Sequence, residues 1–150
     1  MAKYETTLHA DFDELTESVR SSLYDQSTTL SLEEESDITV NDVRIRMEVY
    51  ERYAWGGGNR ASLSITYVGK DGDVAIVGIG AGGSNAIFRK WSTNGEQEFL
   101  KSFVEVLRQY RRENMNPAMH GKWFLVPGGK LRRQSVYKAH TSRENDYITY

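Results

Sequence analysis

The stretch Val74-Ala-Ile-Val-Gly-Ile-Gly-Ala-Gly-Gly-Ser84 constrains the fold more than any other, because Gly78, Gly80 and Gly83 form a G-x-G-x-x-G directly after an apolar, strand-like run. A dinucleotide-binding turn of that spacing needs a long helix opening at the third glycine and an acidic residue about 20 positions on. Here Asn85-Ala-Ile-Phe-Arg-Lys-Trp91 follows, rich in apolar and aromatic residues and soon interrupted by Ser92-Thr93-Asn94-Gly95. That is too short for a crossover helix. The match is read as fortuitous, with 85–91 another strand and 80–84 a turn between antiparallel strands.

The flanking segments agree with an antiparallel sheet. Tyr4, Thr6 and Leu8 alternate with polar residues as in a strand. Asp11 with Glu14 makes a capping-box-like start, and Phe12, Leu15, Val19 and Leu23 then recur at helical spacing. Thr28 to Leu32 reads as a short strand ending in an acidic turn, Glu33-Glu34-Glu35-Ser36-Asp37. Val43, Ile45, Met47 and Val49 alternate with Arg44, Arg46, Glu48 and Tyr50, which predicts an apolar row on the core and a charged row outside. Leu63, Ile65 and Tyr67 alternate with Ser62, Ser64 and Thr66, and Asp71-Gly72 is the dipeptide favoured in a type I′ hairpin. Val74 to Ile79 alternates too little to be half-exposed.

A second helix starts near Thr93 and carries Phe99, Leu100, Phe103, Val104, Leu107 and Tyr110, with Arg108, Arg111 and Arg112 near its end. The order β-α-β-β-β-β-α predicts an α+β domain, an antiparallel meander with two helices on one face, over residues 1–112. Residues 113–150 read as a basic, aromatic-rich extension with short strands at 122–126, 135–139 and 147–150. Residues 1–110 hold 11 Lys and Arg against 18 Asp and Glu, whereas the last 40 hold 8 against 3. A tail of that sign suits docking on its own acidic body or a neighbour's, simple solvation or, less readily, nucleic acid.

In a meander, alternate turns share an end of the sheet, so 55–60 and 80–84 are expected together. That end would gather Trp55, Gly57, Gly58, Asn59, Arg60, Gly82, Gly83, Ser84 and Asn85. Glycine turns allow close approach to backbone amides, paired amides form anion nests, Arg60 suits a phosphate or carboxylate, and Trp55 suits a base. Trp123, Lys130, Arg132 and Arg133 are candidate tail contacts. Equally, the glycines serve only turns and bulges.

Catalytic signals are sparse. The chain has no cysteine, and its three histidines, His9, His120 and His140, are dispersed; no H-E-x-x-H, P-loop or nucleophile elbow occurs. No metal site, cofactor or enzymatic activity is expected. No run approaches the roughly 20 apolar residues of a membrane span, and Met1-Ala-Lys-Tyr-Glu5 lacks a signal-peptide apolar core, so a cytoplasmic, membrane-free setting is the expectation.

Phe12-Asp-Glu-Leu15, Asp42-Val-Arg-Ile-Arg-Met-Glu-Val-Tyr-Glu-Arg-Tyr53, Gly57-Gly-Asn-Arg60, Ala61-Ser-Leu-Ser64, Gly82-Gly-Ser-Asn-Ala-Ile-Phe88 and Gly95-Glu-Gln-Glu-Phe-Leu100 resemble a family of small bacterial domains of unknown function over about residues 1–110. The resemblance implies an α+β fold and no assigned activity. Three functions stay open. The first is a non-enzymatic binder of a small anionic ligand, a nucleotide or nucleotide-derived signal, with sequestration of a defence signal as its role if the gene is viral. The second is a protein-interaction or homo-oligomeric module docking through the tail and the charged sheet face. The third, a hydrolase or transferase on a phosphorylated metabolite, lacks a visible nucleophile.

Overall fold

Asp11 separates the first two elements of the chain. Strand β1 (Ala2–His9) ends just before it, and its carboxylate accepts the Glu14 N–H at 2.9 Å to cap helix α1 (Phe12–Gln26), satisfying one of the amides a helix start leaves open. Four strands follow: β2 (Leu30–Val40), β3 (Val43–Tyr53), β4 (Arg60–Lys70) and β5 (Asp73–Gly83); helix α2 (Asn94–Asn114) comes next. Asp71 and Gly72 turn β4 into β5 with φ of 54° and 84°, the positive pair a two-residue hairpin demands. The computed structural model describes residues 1–53, 60–83, 94–114, 123–126, 130–133 and 147–149.

All pairings are antiparallel, in the order β2-β3-β4-β5-β1, so the chain is an α+β fold of the order its periodicities predict. In the C-terminal extension, β6 (Trp123–Val126) and β7 (Lys130–Arg133) form their own hairpin, and β8 (Tyr147–Thr149) adds a short sixth strand beside β1. No described helix is long and apolar enough to cross a membrane. The expected strand at 135–139 lies outside the described residues, as does that at 85–91.

Both helices lie on one face. Leu15, Val19 and Leu23 of α1 and Phe99, Leu100, Phe103, Val104 and Leu107 of α2 bury against Tyr4 and Leu8 of β1, Leu63, Ile65 and Tyr67 of β4, and Val74 and Ile76 of β5. Gly78 lets α2 come close: a Cβ built there meets Phe103 Cε1 at 2.5 Å.

Three expectations need correction. Glu33 to Asp37 is no turn but the middle of β2, bulged between Leu32 and Glu34; the turn falls at Asn41-Asp42, with Asn41 at φ 56°. An acidic strand persists there because Glu35 and Asp37 accept hydrogen bonds from Arg20, Arg44 and Arg46. Gly80 to Gly83 is likewise strand, paired with β4 as far as Gly83 opposite Arg60. The third correction concerns the facing of β3. Its charged row Arg44, Arg46, Glu48 and Tyr50 turns inward under α1, and the apolar row Val43, Ile45, Met47 and Val49 faces away from the helices. Strand alternation defines two rows but not which of them is covered. Here α1 supplies counter-charges for the polar row, and nothing described covers the apolar one.

Candidate functional site

The seam between α1 and β3 is built by two matched periods. Two residues of strand advance about 6.6 Å and three to four residues of helix about 5 Å. Successive inward residues of β3 therefore meet successive turns of α1: Arg44 at Asp13, Arg46 at Thr16 and Glu17, Glu48 at Arg20, Tyr50 at Tyr24. Glu48 has no solvent exposure; it accepts from Arg20 at 2.5 Å through one oxygen and from the Tyr50 hydroxyl at 2.9 Å through the other. Burial pulls the Arg20 guanidinium down, but its hydrogen bonds to Glu48 and Glu35 outweigh that and hold it above its ordinary value. Burial, the Glu48 charge and the bond to it push the Tyr50 phenol up. At the outer end, hydrogen bonds from Arg44 hold the Asp37 carboxyl below the usual range. With each charge neutralised and hydrogen-bonded, the seam is a structural clasp. Next in the sheet, the fully buried Tyr67 has a hydroxyl with no hydrogen-bond partner among the described residues, and burial raises its pKa.

At the glycine end, Tyr53, Arg60 and Gly83 occupy one cross-strand row, so the strand ends flanking both glycine-rich segments lie side by side. Arg60 is exposed; its guanidinium bonds Glu51 at 3.2 Å and stacks 4.8 Å over the Tyr53 ring. Glu51 and Arg60, with Ser62, Ala81 and Gly82, line an open recess of about 310 Å³. Gly82 and Gly83 are extended strand without positive φ, so they form no amide nest of the kind the glycine run suggests. Trp55, Gly57, Gly58, Asn59, Ser84 and Asn85 lie outside the described residues. For Trp123, Lys130, Arg132 and Arg133 the backbone is placed, in β6 and β7, and the side chains are not described.

Arg52, absent from the sequence reading, lies on the helix side of the same end. It stacks 4.7 Å over Phe99, and burial lowers its pKa against the pull of Glu98. Its signal was present in the sequence: Arg52 continues the row of Arg44, Arg46 and Glu48, and Asp13, Glu17 and Arg20 form a matching polar stripe on α1. His9 is an exposed residue whose Nδ1 lies 2.8 Å from the Asp73 carboxylate. Among the described residues no group of His, Asp or Glu is placed to hold a metal ion.

The sheet face opposite the helices is the third surface. Across β3, β4 and β5 it presents the rows Ile45-Val68-Ala75, Met47-Thr66-Val77 and Val49-Ser64-Ile79, with no charged residue in any. Met47 is 45% and Ile79 40% exposed, and Ile38 at 51% and Val40 at 55% continue the apolar surface onto β2.

No curated protein and no solved structure matches the chain. A family model described as a family of unknown function (DUF6054) matches residues 1–111, which are β1 through nearly the whole of α2. With that much of its length covered, the chain belongs to this family of unknown function.

Proposed function

We propose that the domain is a protein-interaction module working through the open face of its sheet. The observation that supports this is the absence of charge over three rows of three central strands, with Met47 and Ile79 exposed among them and Ile38 and Val40 exposed beside them on β2. Antiparallel sheets with one solvated face normally alternate apolar-in and polar-out. A contiguous apolar surface larger than a few hundred Å² marks an interaction site on a monomer. The charged row of β3 takes no part in docking, because it is spent on α1. To test the proposal, a photo-crosslinking residue is placed at Ile79 and, as control, at Ser21 on the exposed side of α1. Discrete adducts in cells from Ile79 and none from Ser21 are expected; equal or absent adducts would sink the reading.

Arg60 favours a second reading, a site for a small anionic ligand such as a nucleotide or nucleotide-derived signal. Its exposed guanidinium, which stacks on the Tyr53 ring, and the side-chain-free Gly82 border one recess. A ligand there has to displace Glu51 from Arg60, which lowers its affinity. Thermal unfolding against mono-, di- and cyclic nucleotides, ADP-ribose derivatives and sugar phosphates tests it. A ligand at about 100 times its Kd adds roughly 2.7 kcal/mol, and this gain is expected to vanish in Arg60→Ala. A silent panel disposes of the idea.

A further inference from the structure

We infer that the outer edge of β1 is a strand-accepting edge. β8 occupies part of it from within the chain, and an extended segment of another protein, rich in β-branched and aromatic residues, displaces β8 by adding a longer strand to the sheet. The inference concerns the hydrogen-bonding edge of the sheet and not its open face, so it can fail without the interaction-face reading, and that reading without it.

The region that the family model spans, residues 1–111, has two outer strands, β2 and β1, and their edges differ. An outer strand presents a row of backbone N–H and C=O groups that template a further strand, and proteins block unwanted pairing there with bulges and charge. β2 carries both devices: its ladder to β3 shifts between Leu32 and Glu34, and Glu33, Glu34, Glu35 and Asp37 make its middle acidic. β1 carries neither. It pairs with β5 without a shift from Ala2 opposite Gly80 to His9 opposite Asp73, and the charges of Lys3 and Glu5 meet each other at 3.0 Å. This is also the edge on which a strand from outside the family region lies: Lys3 pairs with Thr149, Tyr4 with Ile148 and Glu5 with Tyr147.

That occupant holds only a short stretch. β8 has 3 residues against 8 in β1, so Thr6, Thr7 and Leu8 lie beyond its ladder. Tyr147, Ile148 and Thr149 are strand-forming types, whereas Arg143-Glu-Asn-Asp146 before them includes types depleted in strands. Residues 115–146 stand between α2 and β8, and closing so long a connection offsets part of what three residues gain. A partner segment that continues the β-branched and aromatic pattern along Thr6, Thr7 and Leu8 makes about twice as many pairs as β8. Strand addition draws its affinity from main-chain hydrogen bonds, so those extra pairs favour the partner. Against them stands the tether, which gives β8 an effective concentration of at most the order of mM.

A fluorescein-labelled peptide, Lys-Lys-Thr-Val-Thr-Val-Tyr-Ile-Thr-Tyr, carries the β8 sequence extended by strand formers and is titrated by anisotropy against the full chain. Because the chain has no cysteine, Glu5→Cys with Tyr147→Cys places two thiols at register partners, where a disulfide locks β8 on the edge. The Cα separation of antiparallel partners, about 4.5–5.5 Å, suits that bond. No binding is expected while the lock is oxidised, and binding is expected once it is reduced. Ile148→Pro removes a backbone amide from β8 and is expected to bind the peptide about tenfold tighter than the native chain, as when an edge open in about a tenth of molecules becomes open in all. A peptide N-methylated at two successive residues of its Thr-Val-Thr-Val stretch is expected not to bind, since amides along a strand alternate sides and one of the two must face the ladder. The disulfide pair reads displacement without a proline, so the result does not depend on how Ile148→Pro folds. Equal binding by the oxidised and reduced lock overturns the inference, because the peptide then sits elsewhere on the domain. Failure of both the reduced lock and Ile148→Pro to bind, or undiminished binding of the N-methylated peptide, overturns it as well.

Discussion

Glu48→Ala is expected to lower the free energy of unfolding by about 3 kcal/mol, the low end of the range for removing one partner of a buried ion pair. The low end applies because Arg20 keeps Glu35 as a second carboxylate and its side chain is 21% exposed. What remains after the substitution is a cation partly withdrawn from water and a Tyr50 hydroxyl with its acceptor gone, in a seat with no solvent access. Urea denaturation should show a lower midpoint with the slope unchanged, as expected when stability falls without a change in exposed surface. The converse substitution separates charge from packing. Arg20→Met with Glu48→Met removes both charges together and should recover most of the loss, since apolar replacements of buried pairs are often neutral or stabilising. A loss under about 1 kcal/mol for Glu48→Ala would mean that water reaches the seat and that the pair behaves like a surface contact.

The second large effect is expected at Gly78, the first glycine of the G-x-G-x-x-G. Gly78→Ala should cost about 2 kcal/mol and Gly78→Val at least as much as the upper end of the 1–3 kcal/mol usual for overpacking. An added Cβ stands 2.5 Å from Phe103 Cε1, 2.8 Å from Cδ1 and 3.4 Å from Leu100 Cδ1. Phe103 has nowhere to go: it is fully buried and held edge-on against Tyr4, ring centroids 6.5 Å apart. The steric cost should exceed the roughly 0.5–1 kcal/mol by which alanine is otherwise favoured over glycine inside a strand. In thermal melts the loss reads as roughly 2–4 °C per kcal/mol. Pairing Gly78→Ala with Phe103→Leu, which withdraws the clashing ring edge, should leave the double variant more stable than the sum of the two single losses predicts. Strict additivity would show that the close approach of α2 to β5 is not what Gly78 permits.

That second case explains the most misleading feature of the sequence. The G-x-G-x-x-G spacing has a packing use here: Gly78 admits the Phe103 ring, while Gly80 and Gly83 are ladder positions in β5 opposite Leu63 and Arg60. The described helix after it opens only at Asn94. Rejecting the dinucleotide reading required nothing beyond residues 85–95, because a crossover helix has a minimum length. Expecting a turn at 80–84 failed because glycine tolerates an extended backbone as readily as a turn, and only pairing with β4 decides between them.

The candidate site was legible in part. Arg60 could be placed at the end shared by the two glycine-rich segments because connections in a meander alternate ends, and the row Tyr53-Arg60-Gly83 follows from that rule. Its neighbours could not be read. Glu51 and Tyr53 engage Arg60 from the adjacent strand, and their presence there depends on a register that sequence spacing leaves open. Arg52 was missed because it belongs to the opposite row of β3, which the alternation assigned to solvent.

Local chemistry by itself determined the cap at Asp11, the Asp71-Gly72 hairpin, the two apolar helix stripes and thereby the order β-α-β-β-β-β-α, because each depends on residues a few positions apart. Tertiary structure alone decided which side of β3 turned inward. A strand carries both rows with equal ease, and the choice falls to whatever layer approaches. Here α1 brings Asp13, Glu17 and Arg20 at the spacing that neutralises Arg44, Arg46 and Glu48, so the charged row is turned under the helix and the apolar row is left facing outward. The surface proposed to carry function exists because a long-range pairing of charges outweighed the ordinary preference for putting Val, Ile and Met inside.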